Sequence, residues 1–209
     1  MENRVLLIAA FIFMQEIYSF GQTGLEQYYY WKDKNTTTFM PVIHFQNKRN
    51  WYAEARFNYE EANTSSLNIG RTFQREHKLA SYSLTPTLGA VTGELNGASL
   101  GLSTAGELRE WFFSSQSQCT LSGQTNDASF LFCWAELGYV PVRWFYFGPS
   151  VQLTRFIHHG KTMAEPGAFI GFESGNWTFP IYGFNLQNAG RYFLVGFNFT
   201  IERNKAGDL

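Results

Sequence analysis

Trp51-Tyr52-Ala53-Glu54-Ala55-Arg56-Phe57-Asn58-Tyr59-Glu60 alternates along its length. Trp51, Ala53, Ala55, Phe57 and Tyr59 fall on one face of an extended chain; Tyr52, Glu54, Arg56, Asn58 and Glu60 fall on the other. A period of two held for this long predicts a β-strand with one apolar and one polar face. The pattern returns near the C-terminus, where Phe193, Val195, Phe197, Phe199 and Ile201 alternate with Tyr192, Leu194, Gly196, Asn198 and Thr200. Strands of about ten residues exceed the usual five or six of globular sheets. They match the length a tilted strand needs to cross a bilayer.

The N-terminus has the form of a signal peptide. Arg4 supplies positive charge, Val5 to Met14 is apolar, and Ser19 and Gly21 are small residues at −3 and −1 of a cleavage site before Gln22. The expected division is a leader over 1–21, a barrel over 22–201 and a polar tail over 202–209. About 188 residues after the leader suit one domain. Charged residues are 16% and aromatics 18%. A slightly negative mean hydropathy suits a barrel whose strands each turn one face to a polar lumen. A net charge of −1 with no basic block disfavours nucleic-acid binding.

Turn signals recur without helical periodicity between them. About twelve strands are expected, near 24–32, 38–46, 51–60, 66–73, 79–91, 98–108, 111–121, 129–139, 144–156, 165–173, 177–185 and 191–201. Alternate connections differ. One set is tight (Asn47 to Asn50, Gln74 to Lys78, Leu108 to Glu110, Val140 to Arg143, Ser174 to Asn176); the other is mostly longer and polar. That asymmetry belongs to outer-membrane barrels, which have short periplasmic turns and longer outer loops. Trp51, Tyr59, Trp111, Tyr139, Trp144 and Trp177 lie close to turns, where aromatic girdles sit. Pro41, Pro86, Pro149 and Pro180 oppose the scheme, because each removes a ladder donor inside a strand. The fold class expected is all-β: a transmembrane antiparallel up-and-down β-barrel.

Few residues carry chemistry. Glu54, Arg56, Glu60, Glu107 and Glu136 should line the lumen, with Arg155 and Glu165 near its outer rim. They would serve either a hydrated path for a small polar solute or structural ion pairs filling a small barrel. His44 alternates onto the polar face. Cys119 and Cys133 flank the loop 122–128, where they would form a disulfide or pack as two small wall residues. His158 and His159 are neighbours that diverge in direction, a poor metal pair. No metal or other cofactor is expected. No nucleophile elbow, P-loop or paired-histidine zinc motif is present in the sequence, so no enzymatic activity is expected.

The stretch from Trp51 to Glu61, with Thr64-Ser65-Ser66-Leu67, resembles a "YLEAR-YNYED-NT-SL" segment of a family of small uncharacterised Gram-negative outer-membrane β-barrel proteins. Trp134 to Tyr139 followed by Pro141 and Trp144, Glu165-Pro166-Gly167 and Phe179-Pro180-Ile181-Tyr182 are similar to other stretches of it. The resemblance implies fold and place, the cell outer membrane, with membrane lipids and the barrel assembly machinery as partners. It brings no site residues. The terminal aromatic usual in such barrels gives way here to Phe199 and a polar tail. Three functions compete: a structural or passive small-solute pore, a selective channel for a small polar or charged solute, and, least favoured, a barrel lipid hydrolase using His158 or His159.

Overall fold

The structure, a computed structural model, describes residues 21–33, 36–125 and 128–201. The expected cleavable leader and the polar tail lie outside the described residues, apart from Gly21 at the leader's end. The strands are β1 (Gly21–Asp33), β2 (Thr36–Asn47), β3 (Trp51–Phe57), β4 (Thr64–Arg71), β5 (Phe73–His77), β6 (Ala80–Gly93), β7 (Gly97–Leu108), β8 (Trp111–Ser122), β9 (Phe130–Val142), β10 (Phe145–Phe156), β11 (Thr162–Ser174), β12 (Trp177–Phe184) and β13 (Tyr192–Ile201). Each pairs antiparallel with its sequence neighbours, except that β4 and β5 do not pair with each other and both pair with β6. The N- and C-terminal strands pair over Thr23↔Ile201 to Trp31↔Phe193 and close the ring.

β4 and β5 are two halves of one ribbon. Gly70↔Thr87 and Phe73↔Leu84 keep a single register on β6. The result is a closed twelve-stranded up-and-down barrel, as the alternation predicts. One boundary moves: strand structure persists to His77, so the turn expected over Gln74 to Lys78 shrinks to Lys78-Leu79.

Pro41, Pro86, Pro149 and Pro180 are accommodated by gaps in the ladder. The β4–β5 break lies opposite Thr85 and Pro86. The β9–β10 ladder skips across Pro149, from Phe147↔Tyr139 to Ser150↔Glu136. The β12–β13 ladder skips across Pro180, from Thr178↔Asn198 to Ile181↔Val195. The β2–β3 ladder ends at Val42↔Arg56, one residue short of Pro41. Proline has no N–H, so each ladder loses its bond on the side that the proline faces.

Side chains sort inside-out relative to a soluble protein. Leu67, Leu88 and Leu100 are 60%, 58% and 57% exposed, while Glu54, Arg56 and Asn68 on the opposite parity are 5%, 6% and 2% exposed. Burying one leucine is worth about 1.5–3 kcal/mol, so water is the wrong solvent for this outer face. Trp51, Trp111, Trp144 and Trp177 are exposed at the end that carries the short turns. Both β1 and β13 also have their outer ends there. The opposite end carries the connections 58–63, 94–96, 157–161 and 185–191.

Candidate functional site: the barrel lumen

The interior has two unlike halves. Along β1 and β8 to β13, inward positions hold a packed cluster that includes Tyr28, Tyr146, Phe169, Tyr182, Phe184, Tyr192 and Leu194, with Tyr30, Phe112 and Trp134 against it. Glycines make room for it. Gly171 lies beneath the Tyr146 ring and Gly138 beneath Phe112; a Cβ at either would overlap the ring. Large beside small is how a narrow barrel fills without distorting its wall. These aromatics occupy one side of the lumen and confine open space to the other.

The other half is polar, along β3, β4 and β6 to β8. Arg56 Nε and Nη2 reach Glu54 Oε1 at 2.7 and 2.6 Å, and Nη1 donates to Gln118 Oε1 at 2.8 Å. Tyr52 donates to Glu54 Oε2 at 2.7 Å. Gln118 Nε2 donates to Thr120 Oγ1 and to Glu60 Oε1, which also accepts from Ser66 Oγ and lies 3.7 Å from Arg56 Nη1. A buried ion pair is tolerable only when its remaining donors and acceptors are satisfied, and here they largely are.

Tyr59 corrects an expectation. Alternation places it with Trp51 and Phe57 on the lipid side, in a girdle. Instead β3 ends at Phe57 and Asn58 takes a positive φ of 56°, which breaks the alternation. Tyr59 enters the lumen, donates to Gln116 Oε1, and lies beneath the Arg56 guanidinium at 4.4 Å. The cause lies one strand away. Phe39 O accepts from Asn58 Nδ2 at 3.0 Å, so the bonding edge of Phe39 faces β3. Every second residue shares that edge, so Pro41 turns its missing donor to β3 where the ladder ends. The freed segment is re-tied by Asn58 N to Thr64 O and Asn63 N to Asn58 Oδ1.

Three cavities follow one another along the polar side. A mouth of about 830 Å³ opens at the short-turn end, walled by Arg75, Glu107, Arg109, Arg143 and Glu173 among others. A central chamber of about 400 Å³ follows, holding Glu26, His44, Glu54, Arg56 and Glu136. The two share Ser83, Ala105, Ser114, Glu136 and Tyr182. A vestibule of about 430 Å³ lies at the long-loop end, with Glu60, Glu61 and Glu94 on its wall. Tyr59 is the lining residue that chamber and vestibule have in common. With Arg56, Glu60, Gln116 and Gln118 it forms a neck.

The other candidates distribute as follows. Glu54, Arg56 and Glu60 meet at the neck, and Glu136 lines the chamber and accepts from Ser114 Oγ at 3.2 Å. Glu107 lies at the mouth near Ser81. Glu165 points inward at the long-loop end, accepting from Asn185 Nδ2 and the Tyr192 hydroxyl. Arg155 is a correction: Gln152 and Thr154 take the inner parity, and Arg155 shares the outer one with Leu153. It lies exposed in a groove on the outer wall beside Leu131 and Leu153, where a long stem can run over apolar surface to a polar rim.

The cysteines are not placed to bridge. Both are free thiols. The β8–β9 register pairs Cys119 with Leu131 and Cys133 with Ser117, so the two are diagonal neighbours on the outer face. Diagonal positions sit about 7–8 Å apart, beyond what a bridge spans. His158 and His159 are exposed in the 157–161 connection. Among the described residues no group of three or more His, Cys, Asp or Glu is placed to hold a metal ion.

No protein-family model matches the chain, and no curated protein matches it. Solved structures do. The KdgM porin superposes with a TM-score of 0.64 at 9% identity, over 86% of this chain and 99% of that one. The fold is shared with a porin. KdgM porin in complex with disordered oligogalacturonate gives 0.62 at 8% identity, over 86% and 99%. NanC porin gives 0.57 at 10% identity, over 84% and 98%. Identities this low carry the barrel alone, and the lumen's chemistry is read from this chain's own residues.

Proposed function

We propose that this chain is an integral outer-membrane barrel that acts as a passive pore for small polar solutes. The observation that carries the proposal is the run of three cavities, each with charged residues in its wall, from one end of the barrel to the other, narrowed once at Tyr59. Each lies in the roughly 300–1,000 Å³ range of small-molecule sites. Twelve strands also stand between the eight of a side-chain-filled barrel and the sixteen of a wide aqueous channel. The exposed apolar band and the tryptophans at the short-turn end support a lipid setting. Residues 1–21 would be the export leader, and the quoted motifs support membership of the small outer-membrane barrel family.

A selective channel is the second reading, favoured by the dense hydrogen bonding at the neck. Oligogalacturonate, present in a KdgM complex, is a polyanion, and the carboxylates of this lumen make that solute a poor guide here. The lipid hydrolase has the least support, since His158 and His159 lie in an exposed connection away from the polar network. The test is single-channel recording in planar bilayers with the processed full-length protein. Discrete conductance steps support a pore. A silent bilayer with folded, inserted protein overturns it.

A further inference from the structure

The mouth mixes Arg75, Arg109 and Arg143 with Glu76, Glu107, Glu110 and Glu173, but beyond it the charge is one-sided. On the chamber wall the basic residues are Arg56 and His44, against Glu26, Glu54 and Glu136. His44 Nδ1 lies 3.5 Å from Glu26 Oε1. Each nitrogen of the Arg56 guanidinium is engaged, two with Glu54 and one with Gln118. Its positive charge is matched where it stands, so an anion entering the neck would have to displace a carboxylate held at 2.6 Å. The vestibule beyond is lined by Glu60, Glu61 and Glu94, and among the described residues that line it none is Lys or Arg.

A second observation concerns Glu60 itself. Its side chain is 1% exposed. Ser66 Oγ, Gln118 Nε2 and Arg56 Nη1 all approach Oε1, while Oε2 is buried with no hydrogen-bond partner. A buried carboxylate oxygen without a donor is costly, and a cation or a hydrogen-bond donor passing the neck would supply what it lacks.

Resting on the pore reading, we infer that the passage admits small cations and neutral polar solutes and rejects anions, with Glu60 setting the preference at the neck. Glu61 and Glu94 extend it by concentrating cations in the vestibule, as a cleft lined by one sign of charge does.

The test is the reversal potential of the processed full-length protein in neutral planar bilayers across a KCl gradient. The expected preference for K⁺ over Cl⁻ is about tenfold, equivalent to about 1.4 kcal/mol. Glu60→Gln keeps the side chain's shape, removes its charge and should lower the ratio to about threefold, half of that free energy. Glu61→Gln/Glu94→Gln alters exposed side chains that the fold does not depend on, and should lower the ratio as well. A wild-type ratio at or below one overturns the inference while leaving the pore intact. So does a ratio that neither variant changes. Silent bilayers instead defeat the pore reading on which it rests.

Discussion

Replacing Arg56 by methionine tests how the neck is held. The guanidinium makes short contacts to Glu54 and Gln118 and lies 3.7 Å from Glu60. Its removal strands two carboxylates whose side chains are 5% and 1% exposed. Breaking a buried pair by deleting one partner costs about 3–5 kcal/mol. Tyr59 also loses a cation–π contact worth about 0.5–2 kcal/mol. Water in the adjoining cavities softens the penalty toward the lower end, so about 3 kcal/mol is expected, roughly a hundredfold in the folding equilibrium. Glu54→Gln/Arg56→Met/Glu60→Gln removes all the charges together and should lie within about 1 kcal/mol of wild type, because no charge is left unpaired. Urea unfolding in lipid vesicles, followed by tryptophan fluorescence and by gel mobility, reads both values. A single variant as stable as wild type, or a triple variant as unstable as the single, refutes the reasoning.

Tyr59→Ala removes the residue shared by the central chamber and the vestibule, so unitary conductance should rise while the barrel still inserts; unchanged or smaller steps would show that the neck is elsewhere. Cys119 and Cys133, diagonal on the outer face, should both react with a small membrane-permeant thiol reagent, and the folded protein should migrate identically with and without reductant. A reductant-dependent shift would restore the disulfide.

The barrel is legible in the sequence wherever one face is apolar and the other polar. Leu100, Leu102, Gly101 and Ser103 declare their sides, and β7 emerges within a residue of its expected ends. Legibility fails where both faces carry the same kind of residue. Tyr28-Tyr29-Tyr30-Trp31 alternates in the fold, with Tyr28 in the packed interior and Trp31 exposed, but no polarity difference marks the parity. For the same reason the interior aromatics of β12 and β13 were not separable from the lipid-facing ones. The neck is hidden by backbone geometry: Asn58 breaks the alternation, and the cause, Pro41, sits seventeen positions earlier (Asn58 less Pro41) on another strand. The cysteine pair stays open in the sequence because register decides it: a two-residue offset separates an opposed pair from a diagonal one.

On the pore reading, lipid solvates the apolar face while water fills part of the other. Spin labels placed singly at Leu100, Gly101, Leu102 and Ser103 of the refolded protein in lipid vesicles test it directly. The labels at Leu100 and Leu102 should be reached by oxygen dissolved in the bilayer, and those at Gly101 and Ser103 by a water-soluble nickel complex, alternating with a period of two. Equal accessibility at all four positions, or the opposite alternation, would contradict it.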